Sequence, residues 1–497
     1  MSFATSGSFP ASIVPAQVQT ALNSNYLNFA DGTSDWAQQY LPELYEAEVE
    51  RYGNRTLGGF LRMVGAEMPM TSDQVIWSEQ NRLHVAYNTA TATNGGAGQA
   101  NAQVVVDMTG TGQTNVAIRE GQTILISDKA TGLVTAKALV QTVTLPSTIE
   151  VSVYGNITAT PLPASLLVGD GINLFVYGAD FGKGSIGMEG SIEPSFTQYQ
   201  NSPLIIKDNY TINGSDAAQI GWVEVSTEDG QSGYLWYLKA ESETRLRFED
   251  YLEMSMVEGE FMNPAAINAS GITYDFGGPA NAALVTNVKG TEGLFAAIEQ
   301  RGNVYSGFAG AAAPGSGALG DFDEILKNLD KQGAIEENML FLSRATALDF
   351  DDMIAAVNGG FASTQAASYG LFENDGDMAL NFGFSGFRRG SYDFYKTDWK
   401  YLNDASTRGL SKEIDGVMVP AGTTTVYDQM LGSNIRRPFL HVRYRASETE
   451  DRRMKSWITG SVGGAFTDTL DAMTVSFLSE RCLVTQAANN FVLFKGA

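Results

Sequence analysis

What most limits the folds open to this chain is the stretch from residue 101 to 178, where short apolar or β-branched runs alternate with turn residues. Val104-Val105-Val106, Thr123-Ile124-Leu125-Ile126, Leu139-Val140, Ile149-Glu150-Val151-Ser152-Val153 and Ile172-Asn173-Leu174-Phe175-Val176 read as strands. Gly121-Gln122, Asp128-Lys129-Ala130-Thr131-Gly132 and Gly169-Asp170-Gly171 supply the turns between them. Short strands at this spacing, with no helical period among them, predict a small β-barrel. Residues 66–87 ahead of it also read as β, and Thr91-Ala92-Thr93-Asn94-Gly95-Gly96 reads as the break at which the barrel is inserted.

Elsewhere the period changes. Residues 1–33, rich in Ser, Ala, Asn and Gly, read as an extended arm. Ser34-Asp35 then caps a helix carrying Leu41, Leu44, Tyr45, Val49 and Tyr52, with Gly53-Asn54 as its stop. Strands at 205–212 and 218–225 lead into the longest expected helix, 234–260, whose apolar stripe is Ala240, Thr244, Phe248, Tyr251, Leu252 and Met256. Helices at 292–300, 321–331 and 345–357 around a buried strand at 338–342 give an α/β alternation. Hairpins are expected at 392–401 and 416–427. A strand at 438–445 sets Phe439, His441, Arg443 and Arg445 on one face against Leu440, Val442 and Tyr444, and the chain ends in strands.

A chain of 497 residues exceeds one compact core, so two to four domains are expected. Its 43% hydrophobic and 18% charged content is globular. The net charge of −24 repels nucleic-acid phosphates and argues against a general DNA binder. Cys482 is the only cysteine, which excludes an internal disulfide and a thiolate zinc site within one chain. The opening Met1-Ser2-Phe3-Ala4-Thr5-Ser6-Gly7 has neither a basic nor an apolar leader segment, and no run reaches a membrane-spanning length, so a chain that is neither secreted nor membrane-bound is expected.

The catalytic inventory is sparse. Gly315-Ser316-Gly317-Ala318-Leu319-Gly320 matches a dinucleotide fingerprint, but Ala311-Ala312-Ala313-Pro314 stands where a buried strand is needed, and Asp321, Asp323 and Glu324 would repel a pyrophosphate. Only His84 and His441 could serve as a hydrolase base, and both read as surface or interface residues. Cys482, beside Leu483 and Val484, reads as a buried inert thiol. Asp351-Asp352 reads as a helix start. Glu373-Asn374-Asp375-Gly376-Asp377 reads as a turn in which Asp375 and Asp377 are weak candidates for a loose cation site. No catalytic residue, cofactor or firm metal site is expected. One segment departs from the acidic background: residues 386–460 hold thirteen Lys or Arg against nine Asp or Glu. Arg436, Arg437, Arg443, Arg445, Arg452 and Arg453 within it are candidates either for a solvated strand face or for contacts with acidic patches on neighbouring subunits.

The order of these segments resembles the major capsid proteins of tailed phages, the Hong Kong 97 phage fold, and is similar in particular to those of crAss-like phages. Local phrases that carry the likeness are Trp77-Ser78-Glu79-Gln80-Asn81-Arg82, Gly290-Thr291-Glu292-Gly293-Leu294-Phe295, Asn381-Phe382-Gly383-Phe384, and Leu478-Ser479-Glu480-Arg481-Cys482-Leu483 followed by Ala488-Asn489-Asn490. The resemblance implies an α+β fold: an N-terminal arm (1–33), an N-terminal helix (34–65) and the first part of an E-loop (66–100). The inserted barrel (101–178) follows, then the E-loop return and a P-domain (179–284) with its spine helix at 234–260. An A-domain with P-domain strands (285–480) and a C-terminal strand (481–497) complete it. It further implies a structural protein and not an enzyme, self-assembling as hexamers and pentamers into an icosahedral shell around double-stranded DNA. Portal, scaffold and auxiliary capsid proteins would be its partners, the host cytoplasm its place of assembly and the virion its location. Trp77, Glu79 and Arg82 join the arginines as candidate intersubunit contacts. No long charged N-terminal helix of the built-in scaffold type is present. A β-rich surface adhesion or carbohydrate-binding module is the alternative, and a carbohydrate-active enzyme the third reading.

Overall fold

In the computed structural model the described residues are 67–80, 84–94, 101–108, 114–155, 162–167, 171–192, 196–215, 224–226, 232–261, 290–306, 318–333, 335–350, 385–404, 407–411, 413–428, 433–462, 467 and 469–496. The arm at 1–33, the helix at 34–65, Arg82, Asp351-Asp352 and the Asp375 and Asp377 turn fall outside them. The chain divides into two compact units, one of Met1–Trp77 with Gln200–Ala497 and one of Ser78–Tyr199.

Among the described residues the chain order opens with β1 (Glu67–Met70) and β2 (Val75–Gln80). The second unit is a closed antiparallel barrel of β3 (Ala86–Asn94), β4 (Asn101–Val106), β5 (Gln122–Asp128), β6 (Thr135–Thr144), β7 (Thr148–Val153) and β8 (Ile172–Ala179), joined in the order β3-β4-β7-β6-β5-β8. Alternation builds its core: Val104, Ile124, Ile126, Ala138, Ile149 and Val151 all point inward and are fully buried. Thr91–Asn94, expected as a break, is instead the end of β3. Ala90 and Ala92 turn into the core there, while Thr91 and Thr93 pair with Val105 and Gln103 of β4. Two β-branched threonines alternating with small inward residues satisfy a strand, and the glycines that looked like the break begin only after it. β9 (Phe196–Asn201) returns from the barrel and pairs with β2.

The first unit holds two larger sheets. In one, β10 (Leu204–Asn213), β22 (Ala472–Thr485), β20 (Leu440–Arg445) and β1 run side by side, with β21 (Lys455–Gly460) also on β22. Between β10 and the helices come β11 (Glu224–Ser226) and β12 (Ser232–Tyr234), a short pair that holds the only described part of the expected 218–225 strand. Helix α1 (Leu235–Glu258), the longest among the described residues, packs Phe248 and Leu252 on Val475 and Phe477, with the two phenylalanine rings 5.9 Å apart. Tyr251, placed on its apolar stripe from the sequence, is exposed.

The other sheet has six strands in the order β13-β23-β17-β14-β16-β15: β13 (Asn303–Ser306), β14 (Glu337–Leu342), β15 (Ser385–Arg389), β16 (Tyr392–Asp398), β17 (Ile414–Pro420) and β23 (Val492–Lys495). Both its faces are covered. Leu340 and Leu342 join Met418, Val492 and Phe494 under α3 (Ala318–Gln332) and the helical residues 344–350 (α4). Phe341, Val417, Val419 and Leu493 turn to the opposite face and meet α2 (Leu294–Arg301) and the end of α1. Strands buried on both sides read as near-continuous apolar runs, as Met339-Leu340-Phe341-Leu342 does.

The two hairpins expected at 392–401 and 416–427 are paired differently. Residues 392–398 form one strand whose hairpin partner is β15 ahead of it, because Gly390 supplies the positive φ of the turn, and 400–403 then turn into the short helix α5 (Lys400–Asn403). The 416–427 hairpin is absent: β17 is drawn into the six-stranded sheet, and β18 (Thr423–Asp428) pairs with β19 (Ser433–Pro438).

Candidate interaction surface

Where β1, β20 and β22 meet, the register brings charges of both signs together. Met70 faces Arg445, and Tyr444 faces Arg481. Glu480 on β22 is almost fully buried and accepts from two guanidinium groups, Arg445 Nε and Arg452 Nη1, each at 2.6 Å. Arg445 also donates to the Thr71 carbonyl at 3.2 Å and pairs with Asp73. Burial works against the Arg445 charge, but Asp73 and Glu480 outweigh it and raise its pKa above the ordinary arginine value. Beside this group, the buried Glu67 carboxylate lies 2.5 Å from Arg453 and 3.8 Å from Arg481. Arg481 donates to Ser479 Oγ at 2.9 Å and to the Arg453 carbonyl at 2.7 Å, and the Arg453 guanidinium lies 5.7 Å from the Tyr444 ring.

Four of the candidate arginines, Arg443, Arg445, Arg452 and Arg453, therefore lie on or beside this sheet and contact their own chain. Arg443 reaches the Pro69 carbonyl at 3.3 Å. Arg436 and Arg437 lie in β19, opposite Thr425 and Thr424. Trp77 is buried, with the Arg301 guanidinium 5.7 Å from its ring, and Glu79 is half-buried in β2. Arg453, with its side chain 40% exposed, shows more than Arg445, Arg452 or Arg481 and is better placed than they are to reach beyond the chain.

His441 is corrected: it is 1% exposed, not on a charged outer face. Leu440 and Val442 pack into a core cluster with Val257, Phe295 and Leu483, and His441 between them is buried as well, its Nδ1 3.0 Å from the Pro438 carbonyl oxygen. His84 is exposed. Cys482 is completely buried, and that burial pushes its thiol up to about 12. Glu324 and Asp323 lie in α3, where Asp323 binds Arg389 at 2.5 Å.

A second buried polar centre escaped the sequence. Asn201, 1% exposed, donates to the Glu292 carbonyl at 2.9 Å and the Leu483 carbonyl at 2.6 Å, while its own oxygen accepts from Thr291, Glu292 and Ser202. Beside it Glu292 pairs with Arg301 at 2.8 Å; burial raises the carboxyl pKa and Arg301 opposes the shift. Glu480-Arg481 inside the apolar run Phe477-Leu478 to Cys482-Leu483 was the available signal for the first network, since a charged pair there must be matched when buried. Nothing local marks Asn201, whose partners are distant in sequence.

The described residues thus define a strand-rich α+β protein of two units, one a closed six-stranded barrel, whose charged clusters hold backbone and side chains together and set no base beside a nucleophile. Among the described residues no group of three or more His, Cys, Asp or Glu could hold a metal ion, and no helix is long and apolar enough to cross a membrane. No protein-family model matches the chain, and no curated protein matches it. Among solved structures it is similar to a chain of Microbacterium phage Oxtober96, with 10% identity, 95% of this chain and 100% of that one covered, and a TM-score of 0.34. It is also similar to the mature capsid asymmetric unit of bacteriophage PhiM1, with 8% identity, coverage of 64% and 79%, and a TM-score of 0.32. A third is the capsid structure of the cyanophage P-SCSP1u, with 7% identity, coverage of 64% and 81%, and a TM-score of 0.29.

Proposed function

We propose that this chain is the major capsid protein of a tailed phage, of the Hong Kong 97 type, which assembles as hexamers and pentamers into a shell around double-stranded DNA. The observation that carries the reading is the order of parts along the chain. A strand pair leads out to an inserted barrel and back, a 24-residue helix lies on a sheet made from both ends of the described chain, and a six-stranded sheet covered on both faces follows. That is the arrangement implied by an E-loop, a P-domain with its spine helix, and an A-domain.

In this reading the charge network makes the P-domain sheet rigid, and the exposed remainder of Arg453 meets carboxylates of a neighbouring subunit, together with Arg436, Arg437, Glu79 and Arg82 at further contacts, while Trp77, buried in its own chain, is not one of them. Head-to-tail contacts close into rings, and many modest contacts add by multivalency. The charge of −24 keeps the shell from binding its DNA tightly. Portal, scaffold and auxiliary capsid proteins are the partners, and assembly takes place in the host cytoplasm. Mass photometry of the purified chain, with and without a co-expressed scaffold, tests this: species at five and six times the subunit mass are expected, and a monomer under every condition overturns it.

A further inference from the structure

The barrel carries aromatic side chains that its core does not use. Along β8, Leu174 faces inward while Phe175 and Tyr177 face out and are 43% and 49% exposed. Strand pairing sets other groups beside them: Phe175 is opposite Leu125 of β5, and Leu125 is opposite Lys137 of β6. Tyr154, just past β7 and 43% exposed, donates its N–H to the Lys137 carbonyl at 2.9 Å and its hydroxyl to Asp180 Oδ2 at 3.0 Å. Asp180 and Lys137 are themselves exposed. Three half-exposed rings, one carboxylate and one ammonium therefore share the outer surface of four adjacent strands.

We propose that this face binds a neutral saccharide chain. The face of an aromatic ring is electron-rich, so it attracts the C–H groups that line one side of a pyranose, while the ring of hydroxyls around the sugar needs an acceptor and a donor. Asp180 and Lys137 supply these at the edge of the aromatic patch. Four strands at about 4.8 Å spacing span roughly 15 Å, room for two or three sugar rings. Charge selects among saccharides, because a chain of −24 repels polyanionic glycans. A single shallow site of this kind binds weakly, and repetition of the site on an assembled surface would raise its avidity. The proposal does not depend on the capsid reading, since one barrel suffices.

The test is titration calorimetry of the full-length chain with maltohexaose, cellohexaose and chitohexaose. At least one is expected to bind with a Kd of roughly 0.1–10 mM, and Phe175→Ser or Tyr177→Ser to weaken it about tenfold. Asp180→Asn is expected to weaken it as well without lowering the thermal midpoint, and Leu133→Ser, in the turn after β5, to leave it unchanged. No heat with any of the three at about 10 mM, or binding that survives both aromatic substitutions, overturns the proposal. Loss of self-association in the aromatic variants without saccharide binding also overturns it, by making the face a contact between copies. A chain that binds saccharide but stays monomeric would sink the capsid reading and leave this one standing.

Discussion

Glu480 is buried beneath two guanidinium groups, and removing its charge shows what the arrangement does for the chain. In Glu480→Gln, Arg445 and Arg452 keep their desolvation but lose the shared carboxylate, so a loss of about 3 kcal/mol in urea unfolding is expected. A change within about 0.5 kcal/mol would mean that solvent already screens the group. Glu292 offers a pH-dependent counterpart. Burial raises its pKa, and the adjacent Arg301 holds that rise back. In Arg301→Ala the folded pKa climbs further above the unfolded value of about 4.3, so the folded chain binds that proton more tightly than the unfolded one. The stability linked to the proton is full at low pH and is lost as pH rises through the folded pKa. The variant should therefore be about 3 kcal/mol less stable at pH 8 and recover part of that by about pH 5. A deficit equal at both pH values would assign it to the lost contact with Trp77 alone.

At the scale of elements, two units with separate cores should unfold separately. Ile124 is fully buried in the barrel, and Ile124→Ala is expected to lower one calorimetric transition by about 3 kcal/mol while leaving the other in place. A single transition that moves as a whole would contradict this. Gly293, at the start of α2, has an ordinary φ of −87°, but a Cβ there would stand 2.5 Å from Gly259 N and 2.7 Å from the Val257 carbonyl oxygen. Because backbone blocks it, Gly293→Ala should cost about 2 kcal/mol in chemical denaturation. The two glycines let the end of α1 and the start of α2 touch main chain to main chain, joined by a 2.8 Å hydrogen bond. The barrel strands and α1 were legible because alternation and a helical stripe are local. The partners of β17 and β18 were not, since a strand pattern fixes which face is buried and leaves open which edge it joins. His441 was misread because alternation along a strand does not tell whether its second face is also covered: Leu440 and Val442 are buried, and so is His441 between them. Among the site residues, the basic segment was visible as composition, yet Glu67 and Glu480, which hold its arginines, are set by register across three strands.

At the scale of the whole molecule, the described chain is strand-rich, with a sheet braced by buried ion pairs, a second sheet covered on both faces, and a barrel inserted between paired strands. A shell subunit needs rigid parts of this kind, because strain at one edge must be carried to the next. Under the proposed function, copies of this chain tile a closed surface. Electron cryomicroscopy of the chain produced with its candidate scaffold tests it most directly: rings of five and six subunits within closed shells or tubes are expected, whereas dispersed monomers or irregular aggregates would contradict it.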